Sequence, residues 1–106
     1  ELINWEKAIR AASVLDRSLL DQAFTARTRV EGSTFSDYQN RPGTWYGYGW
    51  FIEPEKKCIH HTGDNGGYKI LVSRYPESET LVLILANRAD WDRNEVKVAI
   101  ESVLGL

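Results

Sequence analysis

The sequence predicts an α+β fold in which two N-terminal helices precede an antiparallel β-sheet meander and a C-terminal covering helix. Three observations carry that reading. Apolar residues recur at helical spacing at both ends of the chain, the period drops to two between residues 45 and 87, and Gly- or Pro-bearing turns separate the central runs. The 106 residues are 42% hydrophobic and 11% aromatic, enough apolar material for one small core, which excludes disorder.

The elements follow in order. Leu2, Trp5, Ile9 and Ala12 recur at steps of three and four, with Glu6, Lys7 and Arg10 on the opposite face, which predicts an amphipathic helix. Asp16 is placed to cap a second helix. Leu15 and Leu20 are set to form a hydrophobic staple, and Leu19, Leu20, Ala23 and Phe24 to form its buried side. From Thr25 to Thr44 no period persists, and the Arg41-Pro42-Gly43 turn signal falls inside this stretch. Residues 1–25 therefore read as a helical segment, 26–44 as a loop or linker, and 45–106 as sheet plus helix.

Tyr46 to Ile52 alternates, which places Tyr48, Trp50 and Ile52 on one face of a first strand. Glu53-Pro54-Glu55-Lys56 supplies a turn into a second strand, Lys57 to Thr62, and Gly63-Asp64-Asn65-Gly66-Gly67 a tight connection to a third, Tyr68 to Tyr75. After Pro76-Glu77-Ser78-Glu79 comes a fourth, Thr80 to Asn87, whose unbroken run from Leu81 to Ala86 predicts burial on both faces, in the middle of a sheet. The last helix begins near Asp92 or Asn94. Its stripe of Val96, Ala99, Ile100, Val103 and Leu104 is suited to lying on that sheet, and Gly105 falls at the C-terminal cap.

Composition removes several function classes. Thirteen basic and 15 acidic residues give a formal net charge of -2 with no Lys/Arg run, which argues against nucleic acid as a partner. The single Cys58 excludes an internal disulfide framework and a multi-Cys zinc site, and reads as a small strand residue. The longest apolar run is far short of the ~20 residues of a membrane span. The chain opens in mid-pattern with Glu1-Leu2-Ile3-Asn4-Trp5, which leads us to expect a piece of something larger.

The densest cluster of chemistry-bearing residues is His60-His61-Thr62-Gly63-Asp64-Asn65-Gly66-Gly67. Adjacent strand residues point to opposite faces, so His60 and His61 do not converge on one metal, and no metal site is expected. A strand rim of His, Thr and Gly instead suits substrate binding: Gly lets a backbone approach closely, and the next amide can donate to an oxyanion. A polar edge strand with a flexible turn accounts for the same residues. Trp45 and Tyr46 either line a cleft or simply pack, and Asp90-Trp91-Asp92 reads as a solvated loop with a helix cap.

The order of segments narrows this. Trp45-Tyr46-Gly47-Tyr48-Gly49-Trp50, His61-Thr62-Gly63, Gly66-Gly67-Tyr68, a strand ending Leu85-Ala86-Asn87 and an amphipathic helix together resemble the C-terminal part of the penicillin-recognising serine hydrolases. These comprise class C β-lactamases, DD-peptidases and related esterases and D-aminopeptidases. Leu2-Ile3-Asn4-Trp5-Glu6-Lys7-Ala8 also resembles the helix that follows their second active-site motif.

The resemblance implies that His61, Thr62 and Gly63 form the third catalytic element. His61 would set the electrostatics and contact substrate, Thr62 would add a hydrogen bond, and the Asp64 backbone N–H would be an oxyanion-hole donor. Tyr46 and Asn65 would bind substrate. It implies no cofactor, an ester, amide or peptide substrate, and a periplasmic, secreted or membrane-anchored parent protein.

Departures from the pattern matter. The family's nucleophile lies in Ser-x-x-Lys, and none of Ser13, Ser18, Ser33, Ser36, Ser73, Ser78 or Ser102 has Lys three positions on. Tyr38-Gln39-Asn40 spells the second motif, Tyr-x-Asn, but after the opening helix rather than before it, and reads as coincidence. The chain alone is therefore expected to be inactive, with nucleophile and base before Glu1. Asp92 and Glu95 stand near where class C enzymes read a substrate carboxylate, which turns the expectation toward an esterase or peptidase. Two readings stay open. One is the C-terminal part of a serine hydrolase; the other is a non-catalytic module that binds a peptide or protein partner along an edge strand. The resemblance further implies that the N-terminal part of the same domain covers the last strand, and without that cover the segment is expected to self-associate.

Overall fold

The computed structural model describes residues 1–30 and 42–106, and among them six antiparallel strands pair in chain order. These are β1 (Thr28–Arg29), β2 (Trp45–Tyr46), β3 (Phe51–Glu53), β4 (Cys58–Asn65), β5 (Tyr68–Tyr75) and β6 (Thr80–Ala86). Helices α1 (Leu2–Arg10) and α2 (Arg17–Ala23) precede the meander, and α3 (Arg93–Leu104) follows it. The α+β architecture is the one the sequence predicts.

The long central hairpin is β4–β5, paired from Ile59↔Arg74 to Asn65↔Tyr68 across a two-residue Gly66-Gly67 turn. Gly63, Asp64 and Asn65 thus belong to the strand and not to the connection. Lys57, read as the first strand residue, sits in a left-handed conformation at φ 51 that closes the Pro54–Lys56 turn.

Residues 45–52 form two short strands rather than one. Trp45 pairs with Ile52 and Tyr46 with Phe51 around a reversal at 47–50. The reversal is closed by the Gly47 N–H donating to the Trp50 carbonyl at 2.9 Å, with Gly49 left-handed at φ 78, and space is tight at Gly47, whose backbone lies against the end of α2. A Cβ there would fall 2.4 Å from the Ala23 carbonyl oxygen and 2.8 Å from that of Thr25. Tyr48 is consequently exposed and shares no strand face with Trp50 and Ile52. β1 lies inside the stretch read as loop and pairs with β2; Val30, just after it, is buried.

Strand alternation divides the sheet into two faces. Toward α3 point Glu53, Cys58, His60, Thr62, Ser73, Tyr75 and Val82; toward α1 point Ile59, His61, Gly63, Val72, Arg74 and Leu81. Cys58, Tyr75 and Val82 form a buried apolar cluster, with Ile84, Ile100 and Leu106 packed against it.

Both terminal helices turn faces to the sheet that differ from the apolar-stripe reading. In α1, Glu6 is buried beside Ile9 while Leu2 and Trp5 stay exposed. The reason is Arg74, whose Nε donates to Glu6 Oε2 at 2.5 Å and whose Nη2 donates to Glu6 Oε1 at 3.2 Å. In α2, Asp16 holds the N-cap position without a side-chain cap bond, Leu20 is buried, and Leu15 and Leu19 are exposed. In α3, Asp92 caps the helix through Glu95 N–H at 2.9 Å and Gly105 closes it at φ 70. The residues buried on the sheet are Arg93, Lys97 and Glu101, whereas Val103 is 85% exposed.

β6 is an edge strand of the described sheet. Val82 is its one buried residue, and Leu85 is exposed.

Candidate active site

β3 pairs with β4 only as far as His60, whereas β5 accompanies β4 to Asn65. The segment His61–Asn65 therefore has a strand partner on one side alone among the described residues. Alternation brings His61, Gly63 and Asn65 to the α1 side and sends Thr62 and Asp64 to the α3 side. Thr62 is buried there, and the Asp64 and Asn65 side chains are exposed.

Gly63 is set by close approach. A Cβ at this position would meet Ile70 Cγ1 at 2.9 Å and Ile70 Cδ1 at 3.1 Å. On the other face Arg93 holds Gly63 and Asp64. Its Nη2 donates to the Gly63 carbonyl at 2.9 Å and lies 2.5 Å from Asp64 Oδ1. The N-terminus of α3 is thereby tied to the backbone that carries the Asp64 amide.

His61 sits in an aromatic frame. The Tyr46 hydroxyl is 3.3 Å from its Nε2. The Trp50 ring meets it edge-on with centroids 6.4 Å apart, and Phe51 lies 5.7 Å away. Tyr46, expected as a substrate contact, thus touches His61 directly, while Asn65 lies further along the strand near its turn.

His60 does something different. Its ring is fully buried, stacked on Phe51 at 5.3 Å, with Nε2 3.0 Å from Glu53 Oε1. Glu53 Oε1 also accepts from Lys97 Nζ at 3.0 Å, and Lys97 bonds Glu101. Glu101 in turn accepts from the Tyr75 hydroxyl at 2.7 Å and from Lys56 Nζ at 2.6 Å. Burial works to raise the Glu101 carboxyl, yet its bonds from Lys56, Lys97 and Tyr75 outweigh that and hold it below the ordinary value. Burial pushes the Tyr75 hydroxyl up, and its bond to Glu101 adds to the effect. Burial likewise pushes the Cys58 thiol up to about 11, so it is no nucleophile at neutral pH.

The Asp90 carboxyl is lowered to about 2 by its hydrogen bonds from Arg88, an exposed loop pair. Among the described residues no group of three or more His, Cys, Asp or Glu side chains is arranged to hold a metal. No helix among them is long and apolar enough to cross a membrane. Tyr38-Gln39-Asn40 lies outside the described residues.

Sequence reading missed Arg93 and the framing role of Trp50 and Phe51. Arg93 follows the helix cap directly, and a basic residue at that place was the available signal.

The sequence model of the Beta-lactamase family matches residues 2–104. The chain belongs to the Beta-lactamase family. Among solved structures, a penicillin binding protein from Bacillus halodurans superimposes with a TM-score of 0.70 at 21% identity, over 91% of this chain and 27% of that one. The shared feature is the fold: this Beta-lactamase-family chain corresponds to about a quarter of its neighbour's length. Curated protein sequences give no match.

Proposed function

We propose that this chain is the C-terminal part of a serine hydrolase of esterase or peptidase type, acting through an acyl-enzyme. The observation that carries the reading is the His61–Asn65 segment, a strand rim that among the described residues pairs with a strand on one side and bears an aromatically framed imidazole. In this reading the backbone N–H of Asp64 donates to the oxyanion, and Arg93 fixes that amide through Gly63 and Asp64. His61 meets the substrate, Tyr46 and Asn65 bound its site, and Thr62, buried toward α3, braces the strand.

The nucleophilic serine and its base come from the remainder of the domain. The serine attacks the ester or amide carbonyl, the alcohol or amine leaves, and water releases the acid. No metal enters. Arg93 is committed to Asp64, and Asp92 and Glu95 stand nearby, which supports neutral esters or amides over anionic substrates. Family membership supports an exported or membrane-associated parent protein.

The test is labelling with a serine-directed fluorophosphonate. The reading expects the protein encoded with its upstream Ser-x-x-Lys and Tyr-x-Asn to be labelled and this chain to stay unlabelled. An upstream sequence lacking both motifs, or labelling of this chain by itself, overturns it.

The exposed edge of β6 favours a second reading, a module that pairs with a partner strand. Its natural occupant is the N-terminal part of the same domain, and in its absence a second copy of the chain.

A further inference from the structure

The hydroxyl of Tyr46 and the imidazole of His61 are fifteen residues apart in sequence and 3.3 Å apart in space, on strands that do not pair with each other. Both partners pack against one aromatic cluster. The Tyr46 ring packs edge-on against Phe51 with centroids 4.7 Å apart, and Phe51 is itself buried. The His61 ring lies 5.7 Å from Phe51 and 6.4 Å from the nearly perpendicular Trp50. Neither ring can leave without disturbing the same aromatic cluster.

A phenol O–H is a better donor than an imidazole N–H, and an imidazole nitrogen a better acceptor than a phenol oxygen. The favoured direction of this bond is therefore from Tyr46 to His61. We propose that Tyr46 is a positioning residue that holds His61 in the tautomer with Nε2 as acceptor and the proton on Nδ1. The tautomer of a histidine is set by the bond its other nitrogen makes. Here Nε2 is the nitrogen taken, and Nδ1–H is the edge left to act.

Resting on the proposed hydrolase, this assigns His61 a chemistry. It presents a donor, so the substrate atom it meets is an acceptor, the carbonyl oxygen of a neutral ester or amide. Proton abstraction from the nucleophile falls to another group, because the one unprotonated nitrogen of the ring is already bonded to Tyr46.

The experiment is read on this chain, so its outcome is separate from whether the longer protein reacts with a phosphonate. Imidazole nitrogens are labelled with ¹⁵N and two-bond ¹H–¹⁵N correlations recorded at about pH 8.5, where an ordinary imidazole is neutral. The expected His61 pattern is a protonated Nδ1 and a bare Nε2. Tyr46→Phe removes the donor and keeps the ring, and should move the tautomer ratio toward Nε2–H by about fivefold, the factor carried by one hydrogen bond of ordinary strength. Trp45→Phe, one residue away, should leave the ratio in place, which a general loosening of the strand would not. A wild-type His61 protonated on Nε2 overturns the proposal, and so does an unchanged ratio in Tyr46→Phe. Should Tyr46→Phe fail to fold, the wild-type tautomer alone decides in the same way.

Discussion

Lys97 is 1% exposed and stands between two carboxylates, with its Nζ 3.0 Å from Glu53 Oε1 and bonded to Glu101. Unit charges 3 Å apart attract by about 5–6 kcal/mol at an effective dielectric constant near 20, and desolvation of the ions offsets most of that gain. Removal of one partner from such a pair is different, because the desolvation cost of the remaining charges stays; the usual loss is about 3–5 kcal/mol. Lys97→Met keeps most of the side-chain volume and removes only the charge. Its expected loss, read by urea unfolding near neutral pH, lies in that range.

The pH dependence supplies the sign. The Glu101 carboxyl is held below its ordinary 4.5 in the folded chain. It therefore contributes stability that is fully present above the unfolded value and lost as pH falls through the folded one. In Lys97→Met, burial still raises the carboxyl while one of the three groups lowering it is gone, so acid should destabilise the variant less than the wild type. A Lys97→Met chain as stable as wild type, or one with the same acid slope, would refute the claim that this lysine joins α3 to the sheet by charge.

Three further outcomes are expected. Gly63→Ala sets a Cβ 2.9 Å from Ile70 Cγ1 and should cost about 1–3 kcal/mol by overpacking, with Ile70→Ala, which removes that atom, coupling favourably to it in a double-mutant cycle. The Cys58 thiol, raised from 9.0 to about 11 chiefly by burial, contributes stability that is present below pH 9.0 and lost as pH rises through about 11. Cys58→Ala should therefore flatten that alkaline decline in urea titrations, and an equal decline in both chains would count against it. The β6 edge should pair with a second copy, so sedimentation should show concentration-dependent dimers that Leu85→Lys on the exposed face weakens. A monomer at all concentrations removes that pairing.

How much of this was legible in the sequence depends on the distance between partners. β5 and α3 with its Asp92 and Gly105 caps are contiguous signals, and each was readable from spacing. The helix faces were not. Arg93, Lys97 and Glu101 recur at steps of four just as Val96, Ile100 and Leu104 do, and no helical wheel ranks a charged stripe as the buried one. The choice is made by Gly63 and Glu53, 30 and 44 residues away from their α3 partners, and at α1 by Arg74, 68 residues from Glu6. The same holds at the site, where Tyr46 and His61 meet across fifteen residues that include the reversal at Gly47–Trp50.

The inversion in α3 has a consequence of its own. Burial of charge is tolerated where every charge has a partner, and Lys97 with Glu53 and Glu101 meets that condition. The helix can then spend its ionic face on the sheet and leave Ala99, Val103 and Leu104 facing outward. An apolar stripe of that kind is stable in water only at a cost in exposed hydrophobic area. The sheet side of α3 is therefore complete in this chain, while its outer side has the chemistry of an interior.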